Sequence, residues 1–149
     1  MERVATGSRI LFYELALTEL SQALFLVGHV EEASALVRGL LNLSRTHTGC
    51  SYQAHADRLL GDVTTHRDPP HIAQAEAHYS QALALAKELG MRPLQAHCHL
   101  GLGTLYRHTK QMDQARAELS AAIEMYRDME MTFWLPETEA ALPAVEGKA

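Results

Sequence analysis

The chain has 149 residues, 47% of them apolar, 21% charged and 6% aromatic, with a formal net charge of −5. That length and apolar content suit one domain, 1–149, able to bury a core, and they argue against disorder. Neither half carries the clustered Lys and Arg that nucleic-acid binding needs, no unbroken apolar run exceeds five residues (23–27 is one), and no signal-type apolar segment opens the chain.

Taken in chain order, apolar spacing and turn signals predict helices over 8–27, 30–47, 51–66, 71–89, 93–108 and 112–129. A seventh, over 136–145, follows Trp134-Leu135-Pro136. Breaks fall at Gly28-His29-Val30, Thr48-Gly49-Cys50, Arg67-Asp68-Pro69-Pro70, 89–93 and 109–112. Proline cannot continue a helix but suits the start of the next, and glycine suits a helix end. Asp113, and Asp68 or His71, fall near helix starts, where acids complement the dipole. No segment alternates at period two for long enough to predict a strand. The class is all-α.

One apolar template, i, i+4, i+7, i+8 and i+11, occurs three times. It runs Ala33, Val37, Leu40, Leu41, Ser44; Ala75, Tyr79, Ala82, Leu83, Ala86; and Ala115, Leu119, Ala122, Ile123, Tyr126. Each copy is a single stripe down one helix. A leucine and a small residue precede each copy: Leu20-Ser21, Leu60-Gly61 and Leu102-Gly103. The three units are 8–47, 51–89 and 93–129, with a cap at about 133–145.

Leu102-Gly103, Tyr106, Ala115 and Ala122 resemble the tetratricopeptide repeat, as do Leu60-Gly61, Ala75, Tyr79 and Ala82, and Leu20, Gly28 and Ala33. The resemblance implies a right-handed superhelical array of three helical hairpins with a C-terminal capping helix. The 40–42-residue interval exceeds the usual 34 and overlaps the HEAT and armadillo range. The tryptophan expected early in each first helix is replaced by Leu17, Asp57 and His99. Residues 75–103 and Met129-Glu130-Met131-Thr132-Phe133-Trp134-Leu135-Pro136 also resemble the C-terminal repeat region of bacterial signalling proteins. Those proteins join a class III adenylate cyclase, or a kinase, to an ATPase.

No motif carries catalysis. Gly147-Lys148 lacks the rest of a phosphate loop, and Asn42-Leu43-Ser44 is a sequon inside a helix. His97-Cys98-His99 cannot all face one ion, since consecutive helical residues point about 100° apart. His47 and Cys50 offer two ligands, too few for zinc. With only Cys50 and Cys98 there is no disulfide framework, so a reducing cytoplasm is the expected location. No cofactor or metal is expected. Tyr79, Tyr106, Tyr126 and Leu119 are expected in the core, and Phe133 with Trp134 as a plug for the open end.

By the resemblance, the first helix of each hairpin lines a concave groove. The facing positions are Thr18, Gln22 and Phe25, then His55, Arg58, Asp62 and His66, then His97, Leu100, Thr104, Arg107 and His108. The Lys, Asn and Arg of a peptide-carboxylate clamp are missing at Thr18, Gln22, Leu59, Leu100 and Thr104. His55 and His97, like His66 and His108, lie 42 residues apart, which stacks them in successive hairpins. With Arg58 and Arg107 they predict a cationic groove that favours acidic peptides below about pH 6.5. The expected function is a non-catalytic module that binds a protein or peptide segment or neighbouring domains. The alternative is a small-molecule sensor region attached to a signalling ATPase or cyclase.

Overall fold

The computed structural model describes residues 16–46, 50–66 and 71–146. Among the described residues there are seven helices and no strand. They are α1 (described over 16–26), α2 (Val30–Thr46), α3 (Cys50–Thr65), α4 (Ile72–Glu88), α5 (Arg92–His108), α6 (Met112–Asp128) and α7 (Leu135–Glu146). Every described boundary lies within one residue of the sequence expectation. The expected start of α1 at residue 8, the 48–49 and 67–70 breaks, His47 and Gly147-Lys148 lie outside the described residues, as do the side chains of Ser44 and Cys50.

The turns share one device. Gly28, Gly90, Lys110 and Glu130 have φ of 90°, 69°, 62° and 55°, the left-handed conformation that ends a helix. The next amide then reaches back to a carbonyl of the last turn: His29 to Leu24, Met91 to Ala86, Gln111 to Tyr106 and Met131 to Tyr126, at 2.8–2.9 Å. The helix starts are less dressed. His71, Met91 and Gln111 precede α4, α5 and α6 with no side-chain cap, although Asp113 sits in the first turn of α6. Pro93 occupies the first turn of α5.

The repeated stripe is the core. Ala33, Val37, Leu40, Ala75, Tyr79, Ala82, Ala86 and all five residues of the third copy are buried, while Leu41 and Leu83 are partly buried. Each copy packs both within its hairpin and on the next, so Val37 and Leu40 of α2 meet Ala56, Leu59 and Leu60 of α3. The small residues mark close approaches. A Cβ on Gly61 would lie 2.7 Å from Tyr79 Cε1, and one on Gly103 would lie 2.7 Å from Leu119 Cγ. Leu20 departs from the pattern. It is 51% exposed, because Leu60 and Leu102 pack on the hairpin before them and no described hairpin precedes Leu20.

Two of the three positions where the repeat pattern has tryptophan carry carboxylate–imidazole contacts instead. Asp57 of α3 is buried with Oδ1 3.5 Å from His78 Nδ1 of α4. His99 of α5 pairs through Nδ1 with Glu118 Oε2 of α6 at 2.5 Å. Acid and imidazole have exchanged sides between the two hairpins. Leu17, the third such position, packs on the α2–α3 cluster.

Tyr106 and Phe133 correct the expected core. Tyr106 is only partly buried and donates its hydroxyl to Glu76 Oε1 of α4 at 2.8 Å. Phe133 is 81% exposed. The plug is Trp134 alone, packed against Ala96, Ala122 and Tyr126 with Leu135 beside it. Both aromatics lie in the turn before α7, and only one ring can face inward.

Candidate functional site

The first helices of the hairpins carry side chains into one cleft of about 260 Å³. Gln22, Phe25 and Leu26 come from α1; Arg58, Asp62 and Thr65 from α3, with His66 just beyond it; and His97, Leu100, Gly101 and Thr104 from α5. Trp134 and Glu137, at the start of α7, close one end, and the Tyr79 ring of α4 forms part of the floor. The spacing explains the convergence. Residues 58, 62 and 65, like 97, 100, 101 and 104, recur at three and four, which keeps them on one helical face.

Tyr79 reaches the cleft because both first helices beside it carry glycine where it passes. A Cβ on Gly61 or on Gly101 would overlap its ring. Its hydroxyl donates to Asp62 Oδ1. Burial, and then the Asp62 carboxylate, raise the Tyr79 pKa well above that of an ordinary phenol. Asp62 also takes Arg58 Nη1 on its other oxygen, 3.1 Å away and one turn back on α3. Arg58 Nε is buried and has no hydrogen-bond partner among the described residues.

His97 is held by its surroundings. Its Nδ1 lies 2.7 Å from the Tyr126 hydroxyl, and its ring packs edge-on against Trp134 at 5.0 Å. Burial first, then the charges of Arg58 and His55, push its pKa down to about 4. The imidazole is therefore neutral at pH 6, and it shares one hydrogen bond between Nδ1 and the Tyr126 hydroxyl. His55 is lowered from its ordinary value by burial and then by Arg58. His66 stands at the cleft edge, its Nδ1 2.8 Å from the Asp62 carbonyl and its ring edge-on to Phe25 at 5.0 Å.

These observations correct the expected cationic groove. Arg58 is paired, His97 stays uncharged near pH 6, and His55 is shifted the same way. The cleft wall instead holds two carboxylates, Asp62 and Glu137, against one guanidinium. Burial removes the imidazolium charge that spacing alone would allow.

Of the expected groove residues, Gln22, Arg58, Asp62, His66, His97 and Thr104 line the cleft, with Phe25 and Leu100. Thr18 is buried, and His55 and Arg107 are partly buried away from the cleft wall. His108 borders a second hollow of about 390 Å³ with Thr65, His66, Ile72 and Thr109. The 42-residue spacing does bring His66 and His108 to one place, though mainly outside the cleft. Leu26, Gly101, Trp134 and Glu137 are lining residues that groove spacing does not reveal. Gly101 lies four residues before Leu105 on a face that looks apolar in sequence, and Glu137 arrives only because α7 packs back on α5 and α6.

His97, Cys98 and His99 point to three different surroundings. Cys98 is buried among Ala54, Ala82, Ala86 and Leu94, where burial raises its thiol pKa to about 12, while His97 meets Tyr126 and His99 meets Glu118. Among the described residues no three His, Cys, Asp or Glu side chains gather to hold a metal, and no helix is long and apolar enough to cross a membrane. Residues 52–128 match the family model described as tetratricopeptide repeat. No curated protein matches the chain.

Proposed function

Because the chain belongs to the tetratricopeptide repeat family, whose repeats generally mediate protein–protein interaction, we propose that it is a non-catalytic module that holds a protein segment in its cleft. One observation carries this reading. All three first helices and α7 contribute to a single open cleft that combines apolar walls with hydrogen-bonding groups. On its wall Leu26 stands 69% exposed, and Phe133, edge-on against the lining Trp134, is 81% exposed. Exposed apolar surface beside a rim of polar groups is the pattern of a partner site.

The test starts from a phage-displayed peptide library selected on the chain, with binding of the winners followed by the fluorescence of Trp134, the single tryptophan. Leu26→Asp, on the exposed part of the cleft wall, should weaken binding without loss of helical circular dichroism, and Arg116→Ala, on the exposed face of α6, should leave it unchanged. Winners that bind Leu26→Asp as well as they bind the parent chain would move the site elsewhere.

We propose further that the module serves a cytoplasmic signalling protein, acting as one unit of three hairpins and a cap. Support comes from the likeness of residues 75–103 and 129–136 to the repeat region of cyclase– or kinase–ATPase proteins. The alternative, a small-molecule sensor, is disfavoured by size at this cleft, though not at the hollow of about 390 Å³ beside His108. The cleft of about 260 Å³ is open and lies below the roughly 300–1,000 Å³ of an ordinary small-molecule site.

A further inference from the structure

The charges on the cleft walls bear on which segment enters. Arg58 is the only lysine or arginine on the wall among the described residues, and it is already engaged by Asp62 at 3.1 Å. Asp62 is engaged in turn, by that guanidinium and by the Tyr79 hydroxyl. Glu137 is different. It is exposed, stands in the first turn of α7, and no ion pair holds it among the described residues. The wall thus presents one internally matched pair and one unmatched carboxylate. His97 adds no positive charge near neutral pH.

The apolar part of the wall lies beside that carboxylate. Trp134, three residues before Glu137, faces a cleft that Phe25 and Leu100 also line. An entering side chain must therefore shed water among aromatic and aliphatic groups while its neighbours meet a negative rim. A cation there gains the Glu137 attraction. An acidic neighbour meets repulsion, and no unpaired Lys or Arg on the wall offsets it.

We propose that the cleft selects a segment whose leucine or aromatic anchor is flanked by lysine or arginine, the anchor entering among Phe25, Leu100 and Trp134 and the cation meeting Glu137. This rests on the reading of the cleft as a peptide site and deepens it by naming the chemistry of the partner.

Two capped probes test it on the full chain: Ac-Gly-Ser-Arg-Leu-Phe-Arg-Ser-Gly-NH2 and the same peptide with glutamate for both arginines. Titrated at low salt and pH 7.5 with Trp134 fluorescence as the readout, the arginine probe should bind about three- to tenfold more tightly. The ratio should shrink as salt rises. Glu137→Gln should bring it close to one by weakening the arginine probe. Equal affinities, a tighter glutamate probe, or a ratio that survives Glu137→Gln would overturn the charge selection and leave the cleft reading standing. No response from either probe at millimolar concentration would overturn both.

Discussion

Gly101→Ala isolates the packing of Tyr79. The Tyr79 ring is 2% exposed, passes between Gly61 and Gly101, and is tethered through its hydroxyl to Asp62. A methyl on Gly101 would overlap Cε1 and Cζ, and a shift of the ring away from it would press toward Gly61, whose own missing Cβ would lie 2.7 Å from Cε1. The ring is blocked on both glycine sides. Alanine in a helix interior is favoured over glycine by about 1 kcal/mol. Overpacking a filled core costs about 1–3 kcal/mol. The net expectation is a loss of about 0–2 kcal/mol in urea unfolding followed by circular dichroism at 222 nm. The sign should reverse in a Tyr79→Leu background, because leucine has no atoms at Cε1 and Cζ. There Gly101→Ala should stabilise by up to about 1 kcal/mol, leaving the helix preference alone. Equal destabilisation in both backgrounds would refute the argument that the ring is what excludes a Cβ.

Ala115→Leu should cost about 1–3 kcal/mol in the same assay, since Ala115 is fully buried beside Leu119 where Leu100, Tyr106 and Leu142 also pack. Lys110→Gly should raise the urea midpoint: Lys110 holds φ 62°, where a side chain costs about 1–2 kcal/mol and glycine does not. No change there would mean that the turn relaxes in solution. His97 should titrate near pH 4 by NMR. Its folded value lies below the unfolded value of about 6.5, so stability is complete above pH 6.5 and falls as pH drops from 6.5 toward 4. His97→Gln should flatten part of that slope, and an unchanged slope would place its cause in other groups.

Helix positions were legible because their causes are local. The stripe from Ala115 to Tyr126 and the break from Thr109 to Met112 each depend on neighbours within a few residues, and α6 runs from Met112 to Asp128 accordingly. The close approaches at Gly61 and Gly103 were legible as well, since a small residue at a fixed place in each repeat signals a crossing. Gly101 was not, because nothing in its own helix shows that a tyrosine from α4 will lie against it. Lys110 and Glu130 were equally silent: two charged residues perform the turn that glycine performs at positions 28 and 90.

By itself the sequence determined an all-helical array and the register of its hairpins, since helical period and repeat spacing are properties of order along the chain, while the expected groove face, where Arg58, Asp62, His97 and Thr104 gather, came from the family resemblance. The electrostatic character of that face was decided only by tertiary structure. Arg58 and Asp62 are neighbours by spacing, but Tyr79 joins them from the next helix, Tyr126 and Trp134 bury His97, and Glu137 arrives on α7. A side chain's charge at a given pH depends on the water it loses and on the charges brought near it. Both are set by elements distant in sequence, so His97, which spacing would make cationic, is neutral on a wall that holds more carboxylates than guanidinium groups.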